Sequence, residues 1–159
     1  MKKTVCFTGH RNIPTQRYDV ISKILEEVIV LLIQNGYYFF GVGGALGFDI
    51  ISALTIIKLK KDYSFIKLIL VLPCRNHFKY WSIEEKKTFF EIKNQADKIV
   101  YITDEYSNGC TLKRNRHLVD NSKICICYLE RNFGGTSYTV NYAKKKGLFV
   151  INIFDLVKP

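Results

Sequence analysis

At 159 residues, 48% hydrophobic and 24% charged, the chain is sized for one domain over residues 1–159, and such a domain buries roughly 70% of its unfolded surface. Eleven Phe and ten Tyr exclude a disordered chain, and no stretch approaches the ~18 uninterrupted apolar residues that cross a bilayer, so no membrane partner is expected. Against 14 Asp and Glu stand 24 Lys and Arg, a formal +10, which favours anionic partners such as nucleotides or nucleic acids.

Much of the lysine sits at predicted helix ends, at Lys58, Lys60, Lys61 and Lys144 to Lys146, where it complements the negative end of a helix dipole. No dense basic stripe of a nucleic-acid arm is visible, so a small nucleotide is the favoured partner and a nucleic acid the lesser one. Five cysteines (Cys6, Cys74, Cys110, Cys125, Cys127) and a start without a secretory signal predict a cytoplasmic chain with free thiols. Cys125 and Cys127 share one face of an apolar strand without further Cys or His at zinc spacing. They read as small buried hydrophobes, and no metal or separate cofactor is expected.

In chain order, residues 4–8 form a short apolar run ended by Gly9, the pattern of a buried strand. Residues 15–35 carry Ile21, Ile24, Leu25, Val28, Leu31 and Leu32 at three- and four-residue spacing, the period of an amphipathic helix. A second strand over 37–42 leads to Gly43-Gly44-Ala45-Leu46-Gly47-Phe48-Asp49 and a helix over 50–61. A third strand over 66–72 stops at Pro73, and residues 80–95 read as helix. Strands over 98–102, 124–129 and 148–153 alternate with helices over 111–121 and 136–146.

This alternation predicts a Rossmann-like three-layer α/β fold, a mostly parallel sheet with helices on both faces. In such sheets ligands bind beyond the carboxyl ends of the strands, so the loops there are the candidates. After the first strand, Gly9 permits close backbone approach, His10 titrates near neutral pH, and Arg11 offers a forked donor for phosphate. After the second, Gly43, Gly44, Ala45 and Gly47 open a helix whose N-terminal amides suit an anion. The run is neither a Walker loop nor a dinucleotide fingerprint. Asp49 reads equally as a helix cap or as an acceptor for a ribose hydroxyl.

Arg75 and Trp81 follow the third strand, where the indole offers a stacking face or simply packs. Arg114 and Arg116 project roughly 200° apart on a helix, so at most one faces a site, with Asn115 between them. Gly134, Gly135 and Thr136 begin a second glycine-rich helix. The aromatic stretch from Phe78 to Phe90 reads equally as core or as a surface for self-association into a homo-oligomer.

Thr8-Gly9-His10-Arg11, Gly43 through Asp49, Arg114-Asn115 with Val119-Asp120, and Gly134-Gly135-Thr136 together resemble the SLOG superfamily, and within it the YpsA-like proteins. The resemblance runs from Val5 to about Ile153, and four motifs in register make it fairly specific. It implies a modified Rossmann fold that binds nucleotides or nucleotide-derived ligands, as a sensor or regulatory module. The superfamily also holds the Lonely Guy phosphoribohydrolases, which cleave N-glycosidic bonds with an Arg and a Glu, and the DNA-processing protein A Rossmann domain, which makes single-stranded nucleic acid a further candidate. Arg114 matches the hydrolase arginine. Thr139 occupies the glutamate position and supplies no carboxylate, leaving Asp49 as the nearest substitute for a catalytic role.

Overall fold

The computed structural model describes residues 3–157. Six strands lie in one sheet: β1 (Thr4–Gly9), β2 (Phe39–Val42), β3 (Lys67–Leu72), β4 (Lys98–Tyr101), β5 (Ile124–Tyr128) and β6 (Phe149–Asn152). Their order is β4-β3-β2-β1-β5-β6 and every pairing is parallel. The chain steps outward from β1 to β4, then returns past β1 to lay down β5 and β6. Strand order thus reverses between β1 and β5, which pair from Val5↔Ile124 to Gly9↔Tyr128. A reversal of this kind opens a crevice at the carboxyl edge.

Both sheet faces are covered, which is why the strands are continuous apolar runs. On one face Val5, Phe7, Phe40, Leu68 and Leu70 pack with residues of α1 (Tyr18–Gln34), α2 (Phe48–Lys60), α3 (Ile83–Gln95) and α6 (Ile153–Val157). Cys6, Cys125 and Cys127 point to the other face and meet Leu118 of α4 (Cys110–Asp120) and Val140 of α5 (Gly135–Lys145). Ile21, Leu25, Ile29 and Ile33 recur every four residues along α1 and are its buried stripe. Each such burial contributes about 2 kcal/mol.

All five cysteines are free and buried; the thiol of Cys127 is pushed up to about 12, chiefly by burial. Among the described residues no helix is long and apolar enough to cross a membrane.

Most strand and helix ends differ from expectation by a residue or two, among them the start of β2 at Phe39 instead of residue 37, and four of the differences bear on the loops. The helix expected from residue 80 begins at Ile83, because Ser82 Oγ accepts from the Glu85 amide at 3.1 Å while Glu85 Oε1 accepts from the Ser82 amide at 2.8 Å. This capping box sets the first turn, leaving Tyr80 and Trp81 in the turn before it. The first helix opens with a 3-10 turn at Thr15–Arg17. α2 starts at Phe48, two residues early, because its first amide bonds to the β1 loop. Ile153, expected to end the last strand, instead opens α6.

Candidate functional site

Beyond β1 and β5 the loops surround a cleft of about 270 Å³. The β1 loop contributes Thr8, Gly9, His10, Arg11 and Asn12, and the start of α2 contributes Ala45 and Asp49. α4 contributes Thr111, Arg114 and Asn115; the β5–α5 junction contributes Arg131, Phe133, Gly134, Gly135 and Thr136. Sequence-predicted residues from four separate segments, though not all of them, are therefore brought together.

His10 is buried, and its Nε2 accepts from the Glu130 amide at 2.9 Å. That role leaves Nε2 without a proton and puts the ring hydrogen on Nδ1. Burial lowers the His10 pKa, the Arg131 charge adds to this, and Glu130 opposes it. The neutral ring is thus a strut between the β1 and β5 loops. Arg131 Nη2 stands 3.5 Å from Nδ1, a donor facing a donor, so it gains no acceptor there.

In the β2 loop the polar backbone is largely satisfied by the protein itself. Gly43 O accepts from Arg114 Nη1, Gly44 O lies 3.0 Å from His77 Nε2, and Ala45 N–H donates to Asp49 Oδ2 at 3.1 Å. Phe48 N–H, the first of α2, donates to His10 O at 3.1 Å. Gly47 has φ +78, and a Cβ there would lie 2.4 Å from Arg11 O. This loop needs glycine because two backbones touch. Gly43 and Gly44 do not line the cleft, and the expected open cradle at α2 is closed from within.

Asp49 is 6% exposed and Arg114 3% exposed. They flank Gly43, where a Cβ would meet Arg114 Nη1 at 2.7 Å and Asp49 Oδ2 at 2.9 Å. Burial pushes the Asp49 carboxyl up, against the pull of Arg114, the Ala45 amide and Arg11. Burial likewise lowers Arg114, with Asp49 opposing. Asp49 Oδ1 makes no hydrogen bond among the described residues.

Arg114 Nε donates to Asn115 Oδ1 at 2.6 Å. Arg116 turns away and reaches Tyr138 Oη at 3.4 Å, as the helical angle requires.

The N-terminus of α5 is different. Gly134 has φ +94, no side chain caps the helix, and an added Cβ at Gly134 or Gly135 would meet nothing within 4 Å. Gly134, Gly135 and Thr136 line the cleft, and an uncapped helix start carries amides and a dipole suited to an anion. Arg11 and Arg131 stand exposed on the rim and take part in no ion pair among the described residues.

Gly47, like Gly43 and Gly44, does not line the cleft, and two further expected residues lie elsewhere. Arg75 pairs with Asp104 at 3.1 Å and stacks 4.3 Å over the Tyr101 ring. Trp81 packs edge-on against His77 and Phe89. Sequence reasoning assigned no role to Arg131 or Phe133, although both immediately precede the Gly134-Gly135 turn, and that position was the available signal.

The sequence matches the YspA SLOG family over residues 5–154. It is 30% identical over 139 residues to YoqJ, an SPbeta prophage-derived protein of Bacillus subtilis, covering 80% of each chain. It is also 30% identical over 146 residues to a UPF0398 protein of Brevibacillus brevis, covering 86% of this chain and 78% of that one. Among solved structures it resembles DNA processing protein A from Helicobacter pylori, described for its single-stranded DNA binding mode, with a TM-score of 0.66 and 25% identity. That match covers 93% of this chain and 64% of the other. DNA processing protein A from Streptococcus pneumoniae shares the fold at a TM-score of 0.67 and 15% identity, over 94% of this chain and 49% of its own. The chain thus spans about half to two thirds of these structures.

Proposed function

The chain belongs to the YspA SLOG family, and on that footing we propose that the cleft between β1 and β5 holds the phosphate of a nucleotide unit against the N-terminus of α5. The observation that carries this reading is a pair of exposed guanidiniums, Arg11 and Arg131, that form no ion pair among the described residues, beside an uncapped and sterically open helix start. Gly134, Gly135 and Thr136 are the contacts for phosphate oxygens, while Arg11 and Arg131 supply charge-assisted bonds. Arg114 acts from below, its side chain held by Gly43 O and Asn115.

A binding and regulatory role fits this cleft better than glycosidic hydrolysis. Its one lining carboxylate is Asp49, whose Oδ2 is held by the Ala45 amide. Thr139, at the position of the hydrolase glutamate, uses its hydroxyl to bond Gly135 O.

A second reading takes the nucleotide unit as part of a single strand. The likeness to the Helicobacter pylori DNA processing protein and the formal +10 charge favour it. Calorimetric titration with nucleoside monophosphates, NAD, ADP-ribose and cyclic nucleotides tests the first reading. Anisotropy of a labelled oligothymidylate at two salt concentrations tests the second, whose affinity should fall steeply with salt. Arg131→Glu weakens whichever ligand binds by at least about tenfold, since it reverses a charge on the rim. Absence of any binding in both titrations overturns the proposal.

A further inference from the structure

We propose that Phe133 is a stacking platform, so that this cleft selects a phosphate carrying an aromatic base over a bare sugar phosphate. The proposal rests on the phosphate reading above and adds the chemical identity of the other end of the ligand.

Phe133 lines the cleft and is 71% exposed. A phenyl ring so placed stays in contact with water at a hydrophobic cost that a stacked partner removes. Tyr80, Tyr106 and Phe149 are comparably exposed, but none of them lines this cleft. The position is also specific in the chain. Phe133 directly precedes Gly134 and Gly135, so its Cα lies within about 8 Å of the first α5 residues by chain geometry. One sugar spans the gap between a phosphate on those amides and a base on that ring.

Arg131 stands 5.7 Å from the Phe133 ring centroid. A cation over an aromatic face holds the ring in place, and the same guanidinium sits at the rim where phosphate charge would lie. Trp81, the only tryptophan, is engaged with His77 and Phe89 and does not line the cleft. A second, independent feature points to a ligand here. Asp49 is 6% exposed, lines the same cleft, and keeps Oδ1 without a hydrogen-bond partner among the described residues. A buried acceptor of this kind is costly until a donor reaches it, directly or through water.

The test compares AMP, UMP and ribose 5-phosphate by calorimetry on wild type, Phe133→Ala and Phe133→Trp. Wild type binds both nucleotides at least about tenfold more tightly than ribose 5-phosphate, because stacking on an aromatic side chain is worth that much per base. Phe133→Ala abolishes the difference between nucleotide and ribose 5-phosphate, read as a ratio of affinities within each protein, and Phe133→Trp restores it. In parallel, an oligothymidylate and its abasic counterpart show whether the base-bearing unit is free or part of a strand. Equal affinity of wild type for AMP and ribose 5-phosphate, or a Phe133→Ala variant that keeps the preference, overturns the stacking role alone. Absence of binding by every probe overturns the phosphate reading with it. A Phe133→Ala protein that keeps the base preference but loses a dimer would identify the ring as a contact between copies instead.

Discussion

Asn115 donates its side-chain amide to Thr139 Oγ1 at 3.0 Å and thereby ties α4 to α5 beneath the cleft. The Thr139 hydroxyl in turn donates to Gly135 O at 3.0 Å, and Asn115 Oδ1 accepts from Arg114 Nε at 2.6 Å. A continuous chain of hydrogen bonds therefore runs from the first turn of α5 to the buried guanidinium. The residue at the hydrolase glutamate position is thus built into the scaffold, through a hydroxyl that both accepts and donates.

Thr139→Val keeps the shape and removes both bonds, leaving the Asn115 amide without its partner. The expected cost is about 1–2 kcal/mol, a fall in Tm of about 2–6 °C for a chain of this size. Nucleotide affinity falls as well, although Thr139 does not line the cleft, because Arg114 loses its anchorage to α5. A variant that melts with wild type would show that the chain of bonds contributes nothing.

Gly47 and Gly134 both have positive φ, yet they answer differently to alanine. At Gly47 the new Cβ falls 2.4 Å from Arg11 O and 2.5 Å from His10 O, both backbone atoms. One of two packed loops must move, and Gly47→Ala costs about 3 kcal/mol or more. At Gly134 the Cβ meets nothing within 4 Å, so only the backbone preference is lost, about 1–3 kcal/mol for a positive φ with extended ψ. Urea unfolding of the two variants measures the contrast, and equal losses would contradict it.

That contrast also shows how much of the site is legible in the sequence. A glycine run ahead of a helix has the same letters whether it cradles an anion or lets two backbones touch. At Gly43 and Gly44 the deciding atoms belong to distant residues: Arg114 at 2.7 Å from one hypothetical Cβ, and Leu72 at 2.5 Å from the other. No local pattern carries that information. The parallel sheet is legible because strands buried on both faces are continuous apolar runs, as in residues 66–72. The reversal between β1 and β5 is not, since it depends on which strands pair across a separation of over a hundred residues. The capping box of α3 is written plainly as Ser82-Ile83-Glu84-Glu85, but the aromatic pattern upstream obscures it. Arg131 lies three residues ahead of Gly134, outside the glycine run itself, and its place in the cleft comes from the contacts of its loop with His10 and of its side chain with the Phe133 ring.

His77 provides a pH dependence. Its Nε2 lies 3.0 Å from Gly44 O, its Nδ1 makes no hydrogen bond among the described residues, and burial lowers its pKa from 6.5 to about 4. Between those values the unfolded chain holds a proton that the folded chain lacks, so stability is complete above about pH 6.5 and declines as pH falls toward 4. At about 1.4 kcal/mol per unit the loss reaches about 3 kcal/mol. His10 is shifted in the same direction by burial and adds to the slope. Asp49, raised by burial, acts in the opposite sense. Comparing wild type with His77→Gln isolates the His77 share, because the amide nitrogen of Gln can keep the bond to Gly44 O. Parallel pH–stability curves for the two proteins would show that His77 remains protonatable in the fold.

Arg114 and Asp49 compensate one another in a place where neither charge is solvated. Arg114→Met removes the donor to Gly43 O and leaves a buried carboxyl without its nearest positive charge. The two side chains form no ion pair within 4 Å, so the cost is that of buried polar groups left short of partners, about 1–3 kcal/mol. Asp49→Asn removes the charge that Arg114 offsets while its amide oxygen keeps the Ala45 bond. The double variant is therefore less destabilised than the sum of the single ones, by about 1–3 kcal/mol. The Arg114→Met deficit should also shrink at acid pH. An acid whose pKa is raised in the fold favours the folded state while protonated, and removing Arg114 raises Asp49 further. Denaturant unfolding of the four proteins at pH 5 and pH 8 measures both effects. Strict additivity with no pH dependence would mean that the two side chains share a neighbourhood without sensing each other's charge.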